Sequence, residues 1–264
     1  MLAGKFSNLE INHIAFNAKR TLRTANSSQF ELVHMHGLSL LKDAAIGFAN
    51  QIWGINQQTI AHLPAALAVY ANINQSPELD INQTDLTAKI GAQLASLNFE
   101  MVELLNFLSL ECQAIPAPAV NSDIHVTRLM PSDADLFLAL LETSGMQTNA
   151  EIWNLKKHLY CTDVFRCFVA KVDGVACGLA TLYIDNQFGL LANAFVQPKF
   201  RNLGCQSVLL NARLQDAKKS GLKQLIVDVV PNSSSERNCV KFGFKAYETR
   251  FIWRKVNGQT KPST

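Results

Sequence analysis

The chain has 264 residues, 48% of them hydrophobic and 17% charged, which is long enough for two domains and apolar enough to bury a substantial core. A net charge of +3, with no long or aromatic-interleaved Lys/Arg run, excludes the electrostatic footprint of a nucleic-acid binder. No apolar run is long enough to span a bilayer, and the N-terminus lacks the apolar centre of a signal peptide. Six cysteines (112, 161, 167, 177, 205 and 239) without Cys-x-x-Cys spacing point to a reduced, cytoplasmic chain.

Residues 9–25 read as a helix of modest amphipathicity. Short strands follow at 30–34, 38–41 and 44–53, with turns at Gly37 and at Lys42-Asp43. Residues 59–72 have a helical pattern with Pro64 in the first turn. Asp85 opens a helix that runs to residue 96, and 99–110 reads as one long strand. Prolines 116 and 118 among small residues disfavour both helix and central strand, so 116–122 reads as a linker. The expected division is an N-terminal α+β domain at 1–115 and a second domain at 123–264.

The second domain opens with a strand at 124–129. A helix capped by Ser132 or Asp133 runs to about residue 142, with Leu136, Leu140 and Leu141 facing inward, and another covers 149–158. Strands at 164–171 and 175–184 flank Asp173-Gly174, a strong hairpin signal. After a turn at 185–187 comes an apolar strand at 190–196, which stops at Pro198. A loop with Arg201 and Gly204 leads at once into a helix at 203–219, capped by Gly221. Residues 225–230 form a nearly all-apolar strand of central-sheet type. A helix at 234–241 and a strand at 244–254 complete the pattern.

The strand–loop–helix join at 190–210 is the most informative feature. The first helical N–H groups have no carbonyl partners, and the helix end carries about half a positive charge. Such a terminus binds anions. Gly204 lets a ligand approach the backbone, and Arg201 supplies a fork suited to phosphate.

Val196, Pro198, Arg201 and Gly204 match the pattern Val-x-Pro-x-x-Arg-x-x-Gly-x-Gly/Ala, with Gln206 in place of the last small residue. This loop resembles the acetyl-CoA-binding motif of the GNAT superfamily of N-acyltransferases. The element order β-α-α-β-β-β-α-β-α-β over residues 123–254 is also that of the GNAT fold. A second local resemblance sits at 232–244, where Asn238, Gly243 and Phe244 match a later motif of the superfamily. The implied fold is a GNAT-like mixed twisted sheet flanked by helices, of α+β (α/β) class, preceded by a second α+β domain. That N-terminal half reads either as a worn acyltransferase half without its own pyrophosphate loop or as an unrelated domain.

The resemblance implies acetyl-CoA as co-substrate. The backbone of Ala194, Phe195 and Val196 would hold the pantetheine arm. The loop amides of Asn202, Leu203, Gly204, Cys205, Gln206 and Ser207, with Arg201, would hold the pyrophosphate. Asn232 and Asn238 join this set through the later motif. The family reaction is direct attack by an amine on the thioester carbonyl, aided by an oxyanion donor on the strand and by an acid and a base. The tyrosine that many members use as acid falls on Cys239 here; Tyr247 reads either as a substitute acid or as a residue that packs on the final strand. Asn193, polar within an apolar strand and on one face with Leu191 and Phe195, is a candidate to hold a relay water. Asp228, the single charge inside 225–230, is a candidate base or ammonium contact.

His34 and His36 share a strand face, but no third ligand lies nearby in sequence, so no metal is expected. The main reading is an N-acetyltransferase acting on a small-molecule amine, without nucleic-acid or membrane partners and with a homodimer left open. The alternatives are an inactive acyl-CoA-binding sensor or interaction module, and a chain whose N-terminal half does the chemistry under control of the C-terminal half.

Overall fold

The structure, a computed structural model, describes residues 6–115 and 123–256; the stretch read as a linker, 116–122, lies outside the described residues. The N-terminal half contains α1 (Ser7–Arg20), β1 (Glu31–Met35), β2 (Leu38–Lys42), β3 (Gln51–Trp53), α2 (Leu63–Ala71), β4 (Glu78–Asn82), α3 (Ala88–Ser96) and β5 (Phe99–Glu111). After it come β6 (Ile124–Arg128), α4 (Ala134–Glu142), α5 (Ala150–Lys156), β7 (Phe165–Val172) and β8 (Val175–Asp185). The chain then continues through β9 (Phe188–Val196), α6 (Cys205–Lys219), β10 (Gln224–Val229), α7 (Ser234–Lys241) and β11 (Lys245–Lys255). No helix among the described residues is long and apolar enough to cross a membrane.

The chain packs as two compact units that interleave along the sequence. Among the described residues, one holds 6–7, 26–106 and 248–256; the other holds 8–25, 107–115 and 123–247. These units do not coincide with the division at 116–122 read from the sequence. Helix α1 belongs to the second unit, and the chain passes between units inside β5 and again inside β11.

In the first unit β1, β2 and β3 form an antiparallel meander, and β3 pairs with β4 in parallel. The neighbour of β4 on its other side is β11, antiparallel through Arg250↔Asn82 to Trp253↔Leu79. Leu40, Ile52, Leu63, Tyr70 and Leu79 lie in its core. Two expectations fail here for identifiable reasons, and one strand went unread. Residues 44–50 are no strand, because buried Asp43 accepts from the N–H groups of Ala45 and Ile46 and folds the chain into a turn. Helix α3 is opened by Thr87, whose hydroxyl accepts from the Ile90 N–H, and not by Asp85. Strand β4, five residues with alternating burial, was not read from the sequence.

In the second unit the strand order is β5, β10, β9, β8, β7, β6. The Asp173-Gly174 turn has φ +49° and +78°, the left-handed pair that a tight hairpin requires. Phe165 and Tyr183 are cross-strand partners on one face, and Phe16 of α1 packs 5.3 Å from both rings. Phe168, Ala170, Ala180 and Leu182 face the other way and pack with Leu209 and Leu214 of α6. Helices α1 and α6 therefore cover opposite faces of this sheet. In α4 the buried residues are Ala134, Phe137 and Leu140, while Leu136, expected inside, is 39% exposed.

The order helix, three-strand meander, helix, parallel strand, helix, strand occurs twice. It runs from α1 to β5 and again from α5 to β11. In both copies the third meander strand pairs in parallel with the strand after the helix, β3 with β4 and β9 with β10.

Candidate active site

The site is built where β9 and β10 part. Their parallel pairing covers Gln224↔Phe188, Leu225↔Gly189 and Ile226↔Leu190 and ends there. Beyond it the main-chain edge of β9 faces a cleft. The register of β8 with β9 shifts at the same place: Thr181 opposes Ala192 and Ala180 opposes Ala194, leaving Asn193 as the extra residue with φ +34°. This is a β-bulge, which bends the strand away from its neighbour. It also reverses the alternation. Leu191 now shares a face with Ala194, and Phe195 with Ala192, so Asn193 is not on a common face with Leu191 and Phe195 as the plain period-two reading expects. Buried Arg213 of α6 donates to the carbonyls of Thr181 (3.2 Å) and Ala192 (3.4 Å) and so braces the bulge.

The loop after β9 makes one 3₁₀ turn (Pro198–Phe200) and then turns into α6 through left-handed Asn202 (φ +63°) and Gly204 (φ +92°). Gly204 is the N-cap of α6, and no side chain caps this helix. Helices α3, α5 and α7 are capped by the side chains of Thr87, Asn149 and Ser233, while α2 and α4, each entered from a 3₁₀ turn, are like α6 without one. The first amides of α6 are thus offered to a ligand and not to their own chain.

A cavity of about 610 Å³ lies at this helix end. Its charged lining residues are all cations: Arg201, Arg237 and Lys241. Of the residues expected to hold a cofactor, Ala194, Phe195 and Val196 line it from β9. Arg201, Asn202, Gly204, Cys205, Gln206 and Ser207 line it from the loop and α6, and Asn238 from α7. Leu203, half exposed, and Asn232 do not line it. Asn232 instead shapes the start of α7: its N–H donates to Glu236 at 2.6 Å and its carbonyl accepts from Arg237 Nη1 at 2.6 Å. Sequence reasoning missed Ser234, Arg237 and Lys241, although their spacing puts them on one face of α7.

A second cavity, about 310 Å³, shares Ala194, Gln206 and Asn238 with the first. Asn193 and Asp228 line it, as do His13, Arg213 and Cys239. Tyr247 lines neither cavity; its ring sits edge-on to Phe107 at 6.4 Å. His13 comes from α1 and no sequence signal marked it. Its Nε2 lies 3.2 Å from Asn17 Nδ2 and its ring 5.1 Å from that of Tyr183. Burial, reinforced by the Arg20 charge, pushes its imidazole down to about 3, so it stays neutral at ordinary pH. Burial pushes the Cys239 thiol up to about 11, against the opposing pull of Arg213.

The matching join in the N-terminal half, between β3 and α2, is built differently. Asn56 Oδ1 already accepts from the N–H groups of Gln58 and Thr59, and Pro64 in the first turn of α2 has no N–H. His36 stacks on His62 at 4.4 Å, and no group of three metal-ligating side chains occurs among the described residues.

Residues 134–244 match the family model described as the acetyltransferase (GNAT) family. The whole chain is similar in fold to a GCN5-related N-acetyltransferase from Kribbella flavida, with a TM-score of 0.70, 12% identity and 97% of each chain covered. A GCN5-related N-acetyltransferase from Sphaerobacter thermophilus gives a TM-score of 0.64 at 13% identity, over 83% of this chain and 80% of that one. A tandem GNAT protein from the clavulanic acid biosynthesis pathway gives 0.58 at 12% identity over 98% of each chain. The mixed sheet flanked by helices is the fold of these neighbours, and the two-part organisation is consistent with the tandem protein.

Proposed function

We infer, from the match of residues 134–244 to the acetyltransferase (GNAT) family model, that this protein transfers an acetyl group from acetyl-CoA to the amine of a small acceptor by direct attack. The observation that carries this reading is the glycine-capped, side-chain-free start of α6 opening on a cavity whose only charged lining residues are Arg201, Arg237 and Lys241. That combination suits the pyrophosphate and ribose phosphate of CoA. The thioester of acetyl-CoA supplies the activated acyl group.

The chain's own residues do the rest. The loop amides of residues 205–207 and the three cations bind the phosphates. The edge of β9 beyond Leu190, freed by the departure of β10, presents main-chain groups to the pantetheine arm, and an N–H there serves as oxyanion donor. Asp228, on β10 past the point where the strands part, takes the proton of the acceptor ammonium. His13 is neutral and already accepts from Asn17, so it orients and does not serve as a base. The leaving thiolate needs no strong acid, because a thiol has a pKa of only about 8.5.

A second reading, acyl-CoA binding without turnover, draws support from the second cavity. Its imidazole is far too acidic to be a base, and its thiol replaces the tyrosine that many relatives use as acid. Calorimetric titration of acetyl-CoA followed by a turnover screen over amines separates the two. Binding with turnover supports the enzyme, binding without turnover the sensor, and no binding removes both.

A further inference from the structure

Arg213 sits on the buried stripe of α6 with Leu209, Leu210, Leu214 and Ala217, is 4% exposed, and lines the second cavity. Its hydrogen bonds go to the main-chain carbonyls of Leu209, Thr181 and Ala192. Among the described residues these bonds all go to main chain and none to a carboxylate, and the carboxylate that shares the cavity wall with Arg213 is Asp228. A buried cation without a counter-anion is costly, and carbonyls at a bulge need only a neutral donor such as an amide. A full guanidinium charge in the wall of a cavity is complementary to an anion. Burial lowers its pKa to about 10, so it remains charged at neutral pH, and a carboxylate beside it would relieve the burial penalty.

We propose that the second cavity recognises a carboxylate through Arg213, carried either by the acyl chain of the donor or by the amine acceptor. This rests on the acyl-CoA reading above. Because the two cavities share Ala194, Gln206 and Asn238, the carboxylate would bind next to the reacting end of the pantetheine arm.

Two calorimetric comparisons on the full chain test it. In the first, succinyl-CoA is compared with butyryl-CoA, its neutral counterpart. In the second, L-α-amino acids are compared with their decarboxylated amines in the presence of saturating CoA. A preference of about tenfold or more for succinyl-CoA assigns the carboxylate to the donor; the same preference for amino acids assigns it to the acceptor. In either case Arg213→Met should abolish the preference between the paired ligands, whatever its effect on the affinity for CoA itself, and Arg213→Lys should retain part of it. Binding of CoA with no carboxylate preference in the wild-type chain overturns the proposal and leaves the acyl-CoA reading standing, whatever the variants do. Failure of CoA itself to bind overturns that reading and the proposal with it.

Discussion

The guanidinium of Arg213 lies 3.4 Å from the carbonyl of Ala192, the residue just before the bulged Asn193, and so ties the middle of α6 to the point where β9 leaves β10. One side chain thereby joins the helix whose start faces the first cavity to the strand whose residues line both cavities. The cleft is held open by hydrogen bonding and not only by loop shape.

The cation set at the first cavity predicts a loss of affinity without loss of fold. Arg201→Ala and Arg237→Ala should each weaken acetyl-CoA binding by about tenfold or more, the scale of a hydrogen bond to a charged group. The melting temperature should hold for Arg201→Ala, whose side chain is exposed. Calorimetry at two salt concentrations checks it. An unchanged Kd in both variants would mean the phosphates bind elsewhere.

His13 makes stability depend on pH with a definite sign. Its folded pKa of about 3 lies below the unfolded value near 6.5, so over that interval the unfolded chain binds the extra proton. Its contribution is present above pH 6.5 and is lost as pH falls towards 3, with a slope approaching about 1.4 kcal/mol per pH unit. Thermal melts between pH 7 and 4.5 should show the wild type losing stability faster than His13→Gln. Parallel curves would refute a buried neutral imidazole.

Tyr247 and Asp228 should separate in kinetics. Tyr247 lines neither cavity, so Tyr247→Phe should keep kcat within about twofold. Asp228→Asn should lower kcat by about a hundredfold or more, the range of lost acid–base catalysis, with acetyl-CoA affinity preserved. Full activity in Asp228→Asn would move the base to another group.

The interleaving of the units predicts that a chain beginning at residue 123 will not fold on its own. It would lack α1, whose Phe16 covers Phe165 and Tyr183 and whose last residues bond Tyr160 and Lys156. It would also lack the end of β5, the neighbour of β10. Such a fragment should be aggregated or molten by near-UV circular dichroism. Adding residues 1–25 as a separate peptide should not restore it, because β5 would still be missing. A soluble, cooperatively melting fragment would contradict this.

Much of the second unit was legible because its signals are local. Asp173-Gly174 demands a left-handed pair, Gly204 sits where a helix begins without a capping side chain, and α7 keeps the bounds read from Ser234 and Lys241. The N-terminal half was less legible where a single buried group overrode a pattern, as Asp43 does by folding residues 44–50 into a turn. Asn193 was singled out correctly as unusual, but its face was misread, since one inserted residue reverses every later side chain of the strand.

The sequence by itself determined the glycine turn into α6, the order of elements from residue 124 onward and the family they resemble, because each rests on propensities and spacings within a few residues. Only the tertiary structure decided that β9 and β10 part after Leu190 and Ile226, that the first helix of the chain brings His13 to the second cavity, and that Arg213 is buried there with its hydrogen bonds on main-chain carbonyls. Those facts depend on contacts between segments far apart in the chain, whose closure is set by the burial of whole faces and leaves no periodic trace in either segment alone.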